Sequence, residues 1–325
     1  MTGGPDAVLV MGEALIDLVP SADDPRTRRA QPGGAPANVA AGLARLGTPS
    51  WFAGGLGGDG FARLIEERLV SAGTRLDLCA RSELPTALAV ADPGPDGTGY
   101  HFHLHDTATF RLPDRTAEVG RFGAVYAGGL AAVVAPADGA VAATASAGAE
   151  HSVLVVDPNV REGRSLDHAS AVHRLRELCG RARILKVSDE DVNLLWPGAS
   201  PEESCERLAG ENRLVVLTRG AAGSTAFTPA LERASVPAER VEVVNTIGAG
   251  DAFMAGMLNW LGDAGAFRDG GAVRLSRDRA AEMLTFASRV AASVVARSGT
   301  EPSRPPAASP AQETAASSLR PPARW

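Results

Sequence analysis

Short, nearly uncharged apolar runs recur along this chain, most of them followed by a helix-length amphipathic stretch. Residues 7–11 (AVLVM), 124–129, 152–159, 183–188 (RILKVS) and 213–220 (RLVVLTRG) are such runs. A strand buried on both faces of a sheet reads as a continuous apolar run, and a parallel partner is reached only through a long crossover. Strands alternating with helices of about 10–15 residues therefore predict an α/β fold with a doubly wound, mostly parallel sheet and helices on both faces. At 325 residues the chain has room for one large α/β domain or two smaller ones, and 45% hydrophobic residues suffice for a sizeable core.

Composition narrows the functional classes. A net charge of −6 argues against a nucleic-acid partner. Residues 122–149 carry a single formal charge, Asp138, but Gly128, Gly129 and Pro136 interrupt them, which fits a buried strand and a small-residue helix better than a membrane span. Residues 1–6 show no secretory signal pattern, and Cys79, Cys179 and Cys205 are widely spaced. Together these predict a cytoplasmic protein with cysteines acting as small hydrophobes. Of the 32 lysines and arginines only Lys186 is a lysine. A compact ammonium retained against that bias suits a site needing a point charge that arginine cannot copy, with chance retention as the alternative.

The chemistry concentrates in residues 241–261 (VEVVNTIGAGDAFMAGMLNWL), where an alternating apolar run predicts a strand, a turn follows, and a helix starts near Asp251. Glycines at the mouth of a helix let backbone N–H groups converge where the macrodipole is positive, a cradle for phosphate. Asp251 in the first turn stands where a hydroxyl nucleophile needs a base; taken alone, it is also a favoured N-terminal helix residue. The heptapeptide Asn245-Thr246-Ile247-Gly248-Ala249-Gly250-Asp251 resembles the D-T-x-G-A-G-D signature of the ribokinase-like (PfkB) sugar kinases. The resemblance implies Asp251 as general base and Gly248, Ala249 and Gly250 as the anion hole. Asn245 replaces the first aspartate of the signature, near the family's monovalent-cation site, which leaves potassium dependence open.

Further segments carry the same resemblance. Residues 33–40 (GGAPANVA) open a helix that runs through Leu46 and stops at Gly47; they resemble the family's G-G-x-x-x-N signature and imply Gly33, Gly34 and Asn38 as sugar ligands. GEALIDLVP, residues 12–20, is similar to fructokinase-type members and implies Asp17 as a further sugar ligand; on pattern alone Asp17 is a solvent-facing strand residue. Residues 20–32 read as a loop. Residues 55–60 (GLGGDG) also fit G-x-G-x-x-G, with Asp77 near the distance of a ribose-binding acid, so a nicotinamide cofactor is a rival reading. Residues 86–92 and 99–105 predict a hairpin closed by a Pro-Gly turn, with His101, His103 and His105 on one face.

Asp157-Pro158-Asn159-Val160-Arg161 ends a strand, where ligand crevices of open α/β sheets lie, and implies Asn159 and Arg161 on the sugar side. Ser188-Asp189-Glu190-Asp191 resembles the fructokinase variant of the family's N-x-x-E element. It implies Ser188 near the nucleotide and Asp191 holding magnesium through water, though a serine followed by acids is also an ordinary helix start. Lys186, Thr218, Gly220, Gly223 and Ser288 are implied nucleotide contacts.

The resemblance spans about residues 7–300. It implies a ribokinase-like three-layer α/β/α sandwich over residues 1–300, with a small β-sheet lid built from residues 14–20 and 86–112 that often pairs two subunits as a homodimer. Residues 301–325, rich in Pro, Ala and Ser, predict a disordered tail. The implied activity is ATP- and magnesium-dependent phosphorylation of a monosaccharide's primary hydroxyl, with fructose favoured. Ribose, 2-keto-3-deoxygluconate, aminoimidazole riboside, a nucleoside, or a sugar-binding role without turnover are the alternatives.

Overall fold

The computed structural model describes residues 3–21, 24, 26–94, 97–160, 168–210, 213–268, 275–297 and 302. Arg161 and, apart from Pro302, the whole 301–325 segment lie outside the described residues.

The first strand lies one place in from an edge of the main sheet. Val8–Met11 (β1) leads to Leu15–Pro20 (β2), Arg28–Gly33 (β3), helix Ala35–Leu46 (α1) and Ser50–Ala53 (β4). Gly55–Leu56 (β5), Gly60–Ala72 (α2) and Ala80–Arg81 (β6) follow, then the hairpin Leu88–Gly94 (β7) and Gly97–His103 (β8). Next come Ala124–Gly128 (β9), Ala137–His151 (α3), Val153–Asp157 (β10), His168–Arg181 (α4), Ile184–Ser188 (β11), Asp189–Leu195 (α5), Pro201–Ala209 (α6) and Leu214–Thr218 (β12). Ser224–Phe227 (β13), Arg233–Val236 (β14), Ala249–Asp263 (α7) and Arg277–Val295 (α8) complete the described elements.

Eight strands form one sheet in the order β14-β13-β12-β11-β10-β9-β1-β4, parallel from β12 to β4 and antiparallel at the β13 and β14 edge. Because side chains alternate along a strand, the sheet separates two cores. Val8 and Val10 cluster with apolar residues of α1, α2, α7 and α8, whereas Leu9 and Met11 cluster with those of α3 to α6. This is the three-layer α/β/α sandwich expected from the alternation of apolar runs. Cys179 and Cys205 are buried and Cys79 half-buried; all three are free, and burial pushes the Cys79 thiol up to about 11.

A second sheet has the order β3-β2-β7-β8, with β2 and β7 parallel and the outer pairs antiparallel. Its strand β3 corrects the expectation of a loop over residues 20–32. An edge strand pairs on one side only, so it tolerates arginines and Pro32, which carries no N–H, and its composition hides it. The second strand of the hairpin ends at His103, so His105 lies beyond it in a turn.

The strand expected at residues 241–244 is also absent. Val243 and Val244 are 65% and 57% exposed, and the backbone N–H groups of Val244 and Asn245 both donate to the Val295 carbonyl at the end of α8. These backbone groups therefore pair with the end of a helix rather than with the β14 edge of the sheet. Pro302 is buried, 3.3 Å from where a Cβ on Gly42 would stand.

Candidate active site

The described strand order reverses once. From β1 the chain moves outward to β4, then crosses back to β9 and proceeds through β10 and β11 to β12. The crevice therefore opens between the C-terminal ends of β1 and β9, where ligands of open α/β sheets bind. Glu13, just past β1, spans it: its buried carboxylate accepts the N–H groups of Leu130 (3.2 Å) and Ala131 (3.0 Å) beyond β9. Gly129, at φ 70°, leaves room for that carboxylate, since a Cβ there would stand 2.6 Å from Glu13 Oε1.

Two helices deliver their N-termini to this place. Gly42 of α1 packs against Ala255 of α7 so closely that a Cβ on Gly42 would sit 2.8 Å from the Ala255 methyl. One turn earlier on each helix stand Asn38 and Asp251, and Asn38 Nδ2 donates to Asp251 Oδ2 at 2.7 Å. Both side chains are buried. Gly248 caps α7 at φ 80°, a left-handed conformation that glycine adopts without strain, and Ala249 and Gly250 form the first helical residues. Gly34 caps α1 at φ 97°, and a Cβ there would meet the Glu13 carbonyl at 2.6 Å. The positive ends of both macrodipoles thus point into one crevice.

From the sheet, Asp157 and Lys186 complete the cluster. Asp157 follows Val153 and Val155 on the face that packs α7, and Lys186 follows Ile184 on the same face. Lys186 Nζ donates to Asp157 Oδ2 at 2.8 Å, while the buried Asp157 Oδ1 has no hydrogen-bond partner among the described residues. The ammonium lies 3.6 Å from where a Cβ on Gly250 would stand, so the charge sits against the glycine turn. Burial alone would lower the Lys186 ammonium, but Asp157, Asp191 and Asp251 outweigh it and raise its pKa. Burial pushes the Asp157 carboxyl up to about 6, with Lys186 opposing and Asp191 and Asp251 adding to the rise.

Asp17 and Gly33 meet on adjacent strands of the small sheet, where a Cβ on Gly33 would fall 2.0 Å from Asp17 Oδ2. Asn159 takes φ 42°, a left-handed conformation that asparagine tolerates, and lines a cleft with Gly129 and Leu130. Asp191 closes a capping box with Ser188: its Oδ2 accepts the Ser188 N–H (2.9 Å) and hydroxyl (2.8 Å), and its Oδ1 accepts the Val160 N–H at 2.8 Å. The helix-start reading of this element thus holds, and the same carboxylate ties α5 to the Asn159 turn.

Thr218 pairs with Ser188 across β11 and β12, and its hydroxyl donates to the Val187 carbonyl at 3.3 Å. Gly220 and Gly223 bound the β12–β13 turn, both at positive φ, and Ser288 is half-buried on α8. Among the described residues, none of these three hydrogen-bonds to Asn38, Asp251 or Lys186. Asp77, the acid of the nicotinamide reading, pairs with Arg75 at 3.3 Å.

Sequence reasoning passes over Glu13, Asp157 and Arg68, whose guanidinium reaches Asn38. A charged residue ending an apolar strand signals the first two. Arg68 reads as one more arginine on an amphipathic helix.

The model of the pfkB family carbohydrate kinases matches residues 6–307. A fructokinase of Rhizobium leguminosarum bv. trifolii is 32% identical over 261 residues, 77% of this chain and 78% of that protein. The crystal structure of a fructokinase with bound ATP from Xylella fastidiosa superposes with a TM-score of 0.81 at 26% identity, covering 92% of this chain and 96% of that one. A fructokinase from Vibrio cholerae O395, in a form with fructose, ADP and calcium, superposes with a TM-score of 0.78 at 26% identity, covering 91% and 94%.

Proposed function

The chain belongs to the pfkB family of carbohydrate kinases, and from that premise we propose that it transfers the γ-phosphoryl group of ATP to a primary hydroxyl of fructose. The observation that carries this reading is the buried Asn38–Asp251 contact beside a glycine turn that also abuts the Lys186 ammonium. A sugar-hydroxyl ligand, a base, an anion cradle and a cation thus lie within one cluster. The choice of fructose rests on the fructokinase relatives.

In this mechanism Asp17, Gly33, Gly34 and Asn38 hold the sugar, with Asn159 and Arg161 as further ligands. Asp251 accepts the hydroxyl proton as the sugar oxygen forms its bond to the γ-phosphorus and the bond to the ADP oxygen breaks. The N–H groups of Gly248, Ala249 and Gly250 stabilise the charge on the transferring group, and Lys186 exchanges part of its pairing with Asp157 for the phosphates. Ser188, Thr218, Gly220, Gly223 and Ser288 form the nucleotide side.

The residues fit magnesium only through water. Both Asp191 oxygens already accept N–H or O–H donors, and no three acidic, His or Cys side chains converge among the described residues. The unpartnered Asp157 Oδ1 and Asp191 would hold its waters, and the ion would neutralise the triphosphate. Potassium is a variable of the test because Asn245, whose amide oxygen accepts the Ile247 N–H at 3.0 Å, stands where the family signature carries an aspartate.

The test is ATP consumption with magnesium, with and without potassium, against fructose, ribose, 2-keto-3-deoxygluconate, aminoimidazole riboside and nucleosides. Turnover on fructose alone is the expected result, with Asp251→Asn at least about 100-fold slower while fructose still binds. Turnover on another acceptor would correct the substrate, and sugar binding with no turnover on any would overturn the kinase reading.

A further inference from the structure

Arg68 stands outside every sequence motif of the site and touches two of its parts at once. It projects from α2, half-buried. One guanidinium N–H donates to Asn38 Oδ1 at 2.8 Å, and another donates to the Pro32 carbonyl of β3 at 3.2 Å. Asn38 in turn donates through Nδ2 to Asp251 Oδ2 at 2.7 Å.

Chemistry fixes the direction of this chain of contacts. A guanidinium only donates and an ionised carboxylate only accepts, so an amide held between them turns its oxygen to the arginine and its nitrogen to the aspartate. The buried Asn38 amide is therefore oriented from both ends. Without the guanidinium, its oxygen would be left in the interior without this donor, a costly arrangement relieved by swinging the amide away from Asp251. The second Arg68 bond carries the effect into the small sheet: Pro32 precedes Gly33, whose backbone packs directly on the Asp17 carboxylate.

We propose that Arg68 is a positioning residue that locks the Asn38 amide toward Asp251 and ties the Asp17–Gly33 edge of the small sheet to the same point. The proposal rests on the kinase reading for the roles of Asn38 and Asp251, but the lock itself can be observed without turnover. The Asn38 side-chain NH2 signals are identified in an amide NMR spectrum as the pair missing from Asn38→Ser. In the substrate-free protein this pair is expected to shift toward the free-amide position in Arg68→Met, and to shift less in Arg68→Lys, which keeps a charged donor group.

In assays with fructose and ATP, Arg68→Met is expected to lower kcat about tenfold and raise the sugar KM, as for loss of a charge-assisted hydrogen bond, while the ATP KM changes less than about twofold. Arg68→Lys recovers part of the loss. In an Asn38→Ser background, Arg68→Met adds less than about twofold, because the coupling partner is already gone. An unmoved NH2 pair in a well-dispersed Arg68→Met spectrum, or losses that multiply independently in the double variant, would overturn the proposal. An inactive wild-type protein whose NH2 pair still shifts would instead overturn the kinase reading and leave the lock standing.

Discussion

Lys186 and Asp157 form the ion pair on which the interior of the site depends, with side chains 6% and 0% exposed. A buried pair is a weak source of net stability, yet removing one partner strands the other and costs about 3–5 kcal/mol. Asp157 is raised to about 6 from 3.8, so its bound proton favours the folded state at low pH, and that contribution disappears as the pH rises through about 6. Lys186→Met removes the charge that restrains this rise. The variant is expected to lie close to wild type in thermal stability at pH 5, where Asp157 can protonate, and about 3 kcal/mol below it at pH 8. A deficit independent of pH between 5 and 8 would show that Asp157 is not the group left stranded. The lone lysine was legible in the sequence as an oddity; its partner, 29 residues away, was not. Asp191 illustrates another case, since an acid at that helix start reads equally as a cap and as a ligand, and its oxygens accept backbone and hydroxyl donors, which leaves water as its route to an ion.

Among the elements, α1 and α7 set the distance between Asn38 and Asp251. Their starts and the stop of α1 were readable, because Pro36, Gly47 and Gly248 are local signals. Their contact was not, because nothing local says that Gly42 exists to admit the Ala255 methyl. Gly42→Ala would gain up to about 1 kcal/mol in helix propensity but force a Cβ into a space 2.8 Å from that methyl. Overpacking of this kind costs about 1–3 kcal/mol, so a modest net fall in stability is expected, with a larger fall in turnover as Asn38 moves from Asp251. Gly42→Ala with Ala255→Gly restores the space, and kcat should recover in the double variant; an unimproved double variant would show that the helix contact does not govern the site. Edge elements were the least legible. Strand β3 has one paired side and reads as polar loop, and Val241 and Val243 alternate like a strand yet pair with none among the described residues.

At the level of the whole molecule, the apolar runs foretold the layers of the sandwich, because a strand buried on both faces must be apolar throughout. They could not foretell the order of the strands, and it is the order that brings Glu13 to Leu130 and opens the crevice between β1 and β9. The same order places β11 inside the sheet, hydrogen-bonded to β10 on one side and β12 on the other. The only lysine of the chain lies on that strand. A protease that cuts solely after lysine thus finds a single susceptible bond, following Lys186, and must wait for the centre of the sheet to come apart before reaching it. The folded protein is expected to resist such an enzyme and to break into two fragments at a rate that follows the equilibrium population of the opened chain, slowed by any ligand that binds the folded form. Fast cutting unaffected by mild denaturant would mean instead that β11 escapes locally. With its one cleavable bond at the heart of the sandwich, the chain carries a built-in gauge of its own global opening.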